Sequence, residues 1–272
     1  MRAALLLAAH SLKRMRTIVL VTGILLALFQ VVLIFVAGSI QTSGGFEQLS
    51  TLLPPFAKEL LGPAVAGFLS FSGIVSVGYF DLAVIGALVA MAVTLGTIPT
   101  AEIESGFIDL ILARPLARHW IITRTITVLV FVAVLLLAMM VAGTWSGLQM
   151  FAPKDAPWPS PKLIHSLALN LGLLMLSWGG IAMAIGAVSR RRSVAVGITG
   201  VLALGTYLLD YVARLWQPAE KIAWLSPFRY YKPFDLMIGL PLPLKNLAVL
   251  GAVSVAGFIA AYVLYARRDI SH

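Results

Sequence analysis

Residues 17–40 read TIVLVTGILLALFQVVLIFVAGSI, without one charged side chain. About 20 mainly apolar residues in a helix cross the hydrocarbon core of a bilayer, and the helix satisfies every backbone polar group internally. Five further stretches fit the same template: 82–98, 125–145, 163–188, 193–209 and 247–266. The 272-residue chain is 60% hydrophobic and only 11% charged, with a mean hydropathy of +0.96. Soluble domains carry about 25% charged residues, so a water-soluble core of this size is excluded. The expected fold is therefore an all-α integral membrane protein. It has one transmembrane domain over residues 1–272, six transmembrane helices, and no remainder long enough for a soluble domain.

Charge sets the expected topology. Residues 60–99 hold one charged group, Asp81, and are long enough for two spans. Two spans there would place Arg114, Arg118 and the Arg190-Arg191-Arg192 triplet outside, against the preference of basic residues for the cytoplasmic side. One span after Asp81 is expected instead, with 52–72 as an apolar helix on the outer interface. With both ends inside, the inner side holds twelve basic residues against four acids, and the outer side eight against six besides Asp81. The net charge of +9 thus follows from topology, and no nucleic-acid partner is expected. The N-terminal MRAALLLAAHSLKRMR has its basic cluster after its apolar run, the reverse of a cleaved signal peptide. Residues 1–16 read as an interfacial helix with Lys13, Arg14 and Arg16 at lipid headgroups. The outer segments 151–162 and 216–246 are rich in proline, and Trp158, Trp216, Trp224, Tyr230 and Tyr231 suit a membrane–water boundary.

Catalytic patterns are missing from the sequence. It has no cysteine, and its four histidines (His10, His119, His165, His272) lack the H-E-x-x-H spacing of a metalloprotease. No G-x-S-x-G elbow occurs; Gly143 and Gly147 read as a small-residue packing pair. His165 reads as an interfacial polar residue. Asp81 is the one acid near membrane depth, either a group on a proton or cation path or a carboxylate solvated at the outer edge. Asp210 and Arg214, four residues apart, suggest a local ion pair. There is no phosphate-binding G-x-x-x-x-G-K-[ST] loop, so no cofactor is expected on this chain.

Between the second and third spans, residues 99–120 include AEIESGFIDLILARPLARH at 101–119, with three acids and two arginines. A helix is expected here from about Ala101 to Ala113. Thr100 would cap it, Glu102 and Glu104 would lie in its first turn, and Pro115 would end it. Ile103, Phe107, Leu110 and Ile111 share one face, while Ile108 and Leu112 lie opposite. A short helix apolar on two sides needs two covers, its own membrane domain and either a partner protein or lipid.

The run E-I-E-S-G-F-I-D-L-I-L-A-R-P-L-A-R resembles the signature of type-2 ABC transporter permeases. The matching residues are Glu102, Glu104, Gly106, Leu110, Leu112, Arg114, Pro115 and Arg118. Phe107, Ala117 and Arg124 depart from the usual Thr/Ser, Ser and Lys. Leu225-Ser226-Pro227-Phe228, followed by Tyr230, Tyr231 and Pro233, resembles the motif such permeases carry before their last span.

The resemblance implies an exporter subunit in a homodimer or heterodimer of permeases, docked on separate ATP-binding subunits that hold ATP and Mg. Its implied coupling residues are Glu102, Glu104, Gly106, Phe107, Ile108, Leu112, Arg114, Pro115 and Arg118. A bacterial or archaeal cytoplasmic membrane is the implied location, with both termini cytoplasmic. The acid-poor spans fit an amphipathic or lipid-like cargo better than an ion. A membrane enzyme acting on lipids and an ATP-independent channel or carrier are the alternatives, the first weakened by the absent catalytic clusters and the second by the acid-poor spans.

Overall fold

The computed structural model describes residues 2–45, 70–106 and 119–267, with side chains from residue 15 onward. No strand occurs among them. The chain begins with one helix, α1 (Arg2–Thr42), which passes unbroken from the expected interfacial segment into the first span. Then come α2 (Phe71–Phe80), α3 (Leu82–Gly96) and the short α4 (Ile98–Glu104). The long helices α5 (His119–Phe151), α6 (Pro161–Val188) and α7 (Arg192–Ala213) follow. After α7 the chain forms α8 (Gln217–Glu220), two 3-10 turns (Ala223–Leu225 and Pro227–Tyr230) and α9 (Pro233–Met237), then closes with α10 (Leu244–Ala266). Among the described residues, six helices are long and apolar enough to cross a membrane: Met15–Thr42, Phe71–Gly96, His119–Phe151, Pro161–Val188, Arg192–Ala213 and Leu244–Ala266. The protein is thus an integral membrane protein by composition and by helix length. α1 begins and α10 ends at the same end of the bundle, where α5 starts.

The second span begins earlier than the expected 82–98. Within it Asp81 bounds two consecutive helices. Its backbone N–H bonds to Val77 O at 2.8 Å, ending α2. Its Oδ1 accepts the Ala83 N–H at 2.8 Å, starting α3. A carboxylate at that position satisfies an otherwise orphaned amide and favours the positive end of the helix dipole. Tyr79 is fully buried; its hydroxyl pairs with Thr144 Oγ1 at 2.9 Å. The outer helix expected over 52–72 lies largely outside the described residues, and its last residues belong to the start of α2.

The helices assemble around α6. In its apolar window 67% of residues are buried, against 22% in α7. Lipid tails are as apolar as leucine, so helices in a bilayer associate through close packing, and small residues permit the closest approach. At the α6–α10 contact a Cβ added to Gly180 would lie 2.7 Å from Ser254 O, and one added to Gly257 would lie 2.5 Å from the Gly180 carbonyl carbon. Backbone therefore meets backbone. Gly143 and Gly147 play the same part between α5 and α1: added Cβ atoms would come within 2.6 Å of Ala27 O and 2.8 Å of Ile34 Cδ1. The small-residue pair is thus an internal contact of the chain.

The segment after α7 is pinned into the bundle by the residues of its Leu225–Phe228 motif. Ser226 Oγ donates to Thr206 O at 2.9 Å and accepts from Phe228 N at 3.2 Å. This turns the Phe228 ring inward between Trp178 and Tyr207, with ring centroids 5.6 and 5.5 Å away. Tyr231 donates to Tyr79 O at 2.7 Å, and burial pushes its phenol pKa up, so it remains a donor at any physiological pH. Asp210 and Arg214 form the expected i,i+4 ion pair at 2.8 Å.

Replacing Gly257 with Leu should cost at least about 1–3 kcal/mol, since the clash is with backbone and no side-chain rotation relieves it. Gly197→Ala, where nothing lies within 4 Å of the added Cβ, should leave stability unchanged. Thermal unfolding of the two purified variants in one detergent checks the contrast.

Candidate coupling site at the termini end of the bundle

Thr97 ends α3, and its hydroxyl donates back to Val93 O at 2.9 Å. Pro99 lies in the first turn of α4, where its missing N–H costs nothing. The helix thus starts three residues before the expected position. Thr100 is not its cap: its hydroxyl donates to Gly186 O, 2.9 Å away near the end of α6. Glu102 and Glu104 accordingly fall at the end of α4, outside its first turn.

The expected helix over 101–113 does not form as one piece. α4 stops at Glu104, because Gly106 takes a φ of +68°, which glycine adopts without steric cost. The Ser105 and Gly106 amides bond back to Ala101 O at 3.1 Å and Ile103 O at 3.0 Å. This glycine stop satisfies the last carbonyls of the helix. Of the implied coupling residues, Phe107, Ile108, Leu112, Arg114, Pro115 and Arg118 lie outside the described residues, as do Leu110 and Ile111.

The two acids of α4 tie it to two different spans. Glu102 forms an ion pair with Arg124 of α5, Oε2 to guanidinium at 2.5 Å, with side chains 9% and 3% exposed. Charges so far removed from water persist only when paired and hydrogen-bonded. Glu104 is exposed, and its Oε2 accepts the Arg192 backbone N–H at 2.8 Å. That amide is the first of α7, whose N-cap residue Arg191 offers no side-chain acceptor. Glu104 supplies the missing cap from another helix and places negative charge at the positive end of α7.

Arg192 completes the junction. Its guanidinium reaches back to Thr94 O at 3.3 Å, at the carbonyl end of α3 where positive charge is favoured. Arg190 and Arg191 of the same triplet are exposed. Beside them Thr123 and Tyr262 share a 2.6 Å hydrogen bond between α5 and α10. The junction therefore binds α3, α4, α5, α6, α7 and α10 near one end of the bundle.

Arg124, Thr100 and Arg192 carry this arrangement, and the motif alone did not single them out for it. The available signal was an arginine at the head of an apolar span. Elsewhere the amides of Gln30 and Asn170 are fully buried at span depth without a hydrogen-bond partner among the described residues. Among the described residues no cluster of three His, Asp or Glu could hold a metal. The chain matches no protein-family model and no curated protein.

Arg124→Leu leaves the Glu102 carboxylate buried and alone, a loss of about 3–5 kcal/mol. Adding Glu102→Leu to that variant should restore most of the loss, since no charge then remains inside. Thermal melts of both single variants and the double variant measure the coupling. Independent, additive losses would mean that the two side chains do not act as a pair.

Proposed function

We propose that this chain is the membrane subunit of an ATP-driven ABC exporter, powered by a separate ATP-binding subunit. The observation that carries the reading is the fixing of α4 by Glu102 to Arg124 of α5 and by Glu104 to the first amide of α7. An insert meant only to connect two spans has no need of a buried ion pair at its base. One that receives force from outside the membrane does, because a lever must be rigid where it meets the load. The insert also bears the acids, glycine, leucines, arginines and proline by which it resembles type-2 ABC permeases, and the sequence lacks a phosphate loop of its own.

In this reading the partner bears on residues 107–118, with Phe107, Ile108 and Leu112 in contact and Arg114 and Arg118 anchoring the exit. Closure of ATP-loaded partner subunits displaces the insert. α4 moves as a unit with the ends of α5, α6 and α7, to which its side chains are bonded. Discrete rearrangement of packed helices at a dimer interface is a known way to convert such a displacement into an altered path. A second permease subunit supplies the other half of that path, and the cargo is amphipathic or lipid-like. The chain lies in a bacterial or archaeal cytoplasmic membrane with residues 1–16 along the inner interface and both termini in the cytoplasm.

Two experiments test this. Phe107→Ala with Ile108→Ala should reduce co-purification of the ATPase or uncouple its hydrolysis from transport, at a cost of more than about 1–2 kcal/mol for lost interface anchors. Lys154→Glu, at the opposite end of the bundle, should do neither; a well-folded Phe107/Ile108 variant with both properties intact defeats the lever. Because the chain has no cysteine, Arg191→Cys provides a unique label. An impermeant thiol reagent should reach it only after cells are permeabilised.

A further inference from the structure

At the end of the bundle opposite the coupling junction lies a cavity of about 630 Å³ between α3, α7, α9, the 3-10 turns and the start of α10. Its volume suits a small organic molecule or a headgroup and is far larger than a single ion requires. Chain direction orders its wall by depth. Ile85 lies one turn inside the start of α3, and Tyr207 lies two turns inside the end of α7, whereas Arg214, Lys232, Asp235 and Asn246 come from element ends and loops. Seven residues of helix separate Tyr207 from Arg214, about 10 Å at 1.5 Å per residue. The floor is apolar and aromatic, and the rim is charged.

The charges at the rim are not equivalent. Asp210 is buried and already holds Arg214 at 2.8 Å, and Arg229 pairs with Glu220 at 3.4 Å. Lys232 and Asp235 also line the cavity, and neither forms an ion pair among the described residues. They stand three positions apart at the start of α9, Lys232 as its N-cap and Asp235 in its first turn. Yet they do not close on each other, so the rim presents one open cation and one open carboxylate side by side above an apolar floor.

We infer that this cavity binds an amphipathic lipid with a zwitterionic phosphate–ammonium headgroup. The phosphate is received by Lys232 and the ammonium by Asp235, and the first carbons of the chains lie against Ile85 and Tyr207. An anionic lipid would meet Asp235 unfavourably, and a headgroup without chains would leave the apolar floor unused. This site is independent of the transport reading, since binding requires neither ATP nor a partner subunit.

The test is direct binding to the full chain, purified in a non-ionic detergent, read by native mass spectrometry or thermophoresis. The probes are short-chain phosphatidylethanolamine, short-chain phosphatidic acid and free phosphoethanolamine. Saturable binding of phosphatidylethanolamine, at least tenfold tighter than either other probe, is expected. Lys232→Gln and Asp235→Asn should each weaken it about tenfold. Leu82→Trp, which places bulk at an exposed lining position, should weaken it as well, and Lys154→Gln should not. Phosphatidic acid binding as tightly would make the site a simple anion site and overturn the inference. So would phosphoethanolamine binding as tightly, or affinity unchanged in Asp235→Asn or Leu82→Trp.

Discussion

The bundle depends on one constraint: in hydrocarbon, helices gain nothing by hiding leucine from leucine, so they must hold together by contact. In the contact of α6 with α10, Gly180 and Gly257 leave no room for a single added carbon. Once α10 is seated there, the cap after α7 has a wall to lean on. Phe228 can enter between Trp178 and Tyr207, and Tyr231 can reach the Tyr79 carbonyl. On the other side, Gly143 and Gly147 bring α5 against α1 in the same way. α7 is left with most of its apolar surface outward, and it is held at its ends more than along its length.

Polar bonds do at the ends of the bundle what glycines do in its middle. Glu102 with Arg124, Thr100 with Gly186 O, and Glu104 with the first α7 amide fasten α4 to three long helices. Their strengths differ for a physical reason. The first is shielded from water and from salt, while Glu104 is exposed and its bond is correspondingly weaker. α4 is thus tied firmly to α5 and more loosely to α7. A junction so graded can shift on one side while holding on the other.

Much of this was legible in the residues. Long uncharged runs marked all six spans, proline and serine marked the short turns after α7, and the spacing of Asp210 and Arg214 marked their ion pair. Two features lay beyond local pattern. The second span was expected to start after Asp81, because a charge normally marks the membrane edge, whereas the apolar helical stretch runs through Phe71–Gly96 with Asp81 capping within it. Gly106 was read as part of a helix because the apolar spacing continues past it, but periodicity does not report a left-handed backbone angle. Arg124 was noticed only as a departure from a motif. Its role depends on a partner 22 positions earlier, which no local pattern reveals.

The glycine contact between α6 and α10 has a consequence for how the protein is made. Its two halves, Gly180 and Gly257, lie far apart in the chain, and α10 leaves the ribosome after both α6 and α7. Until then α6 presents a bare backbone groove to lipid, although its other neighbours are already in place. The contact between α6 and α10 therefore cannot form until α10 has been made. A chain stalled before α10 carries that open groove in the bilayer, a mark by which membrane quality control could tell an unfinished molecule from a finished one.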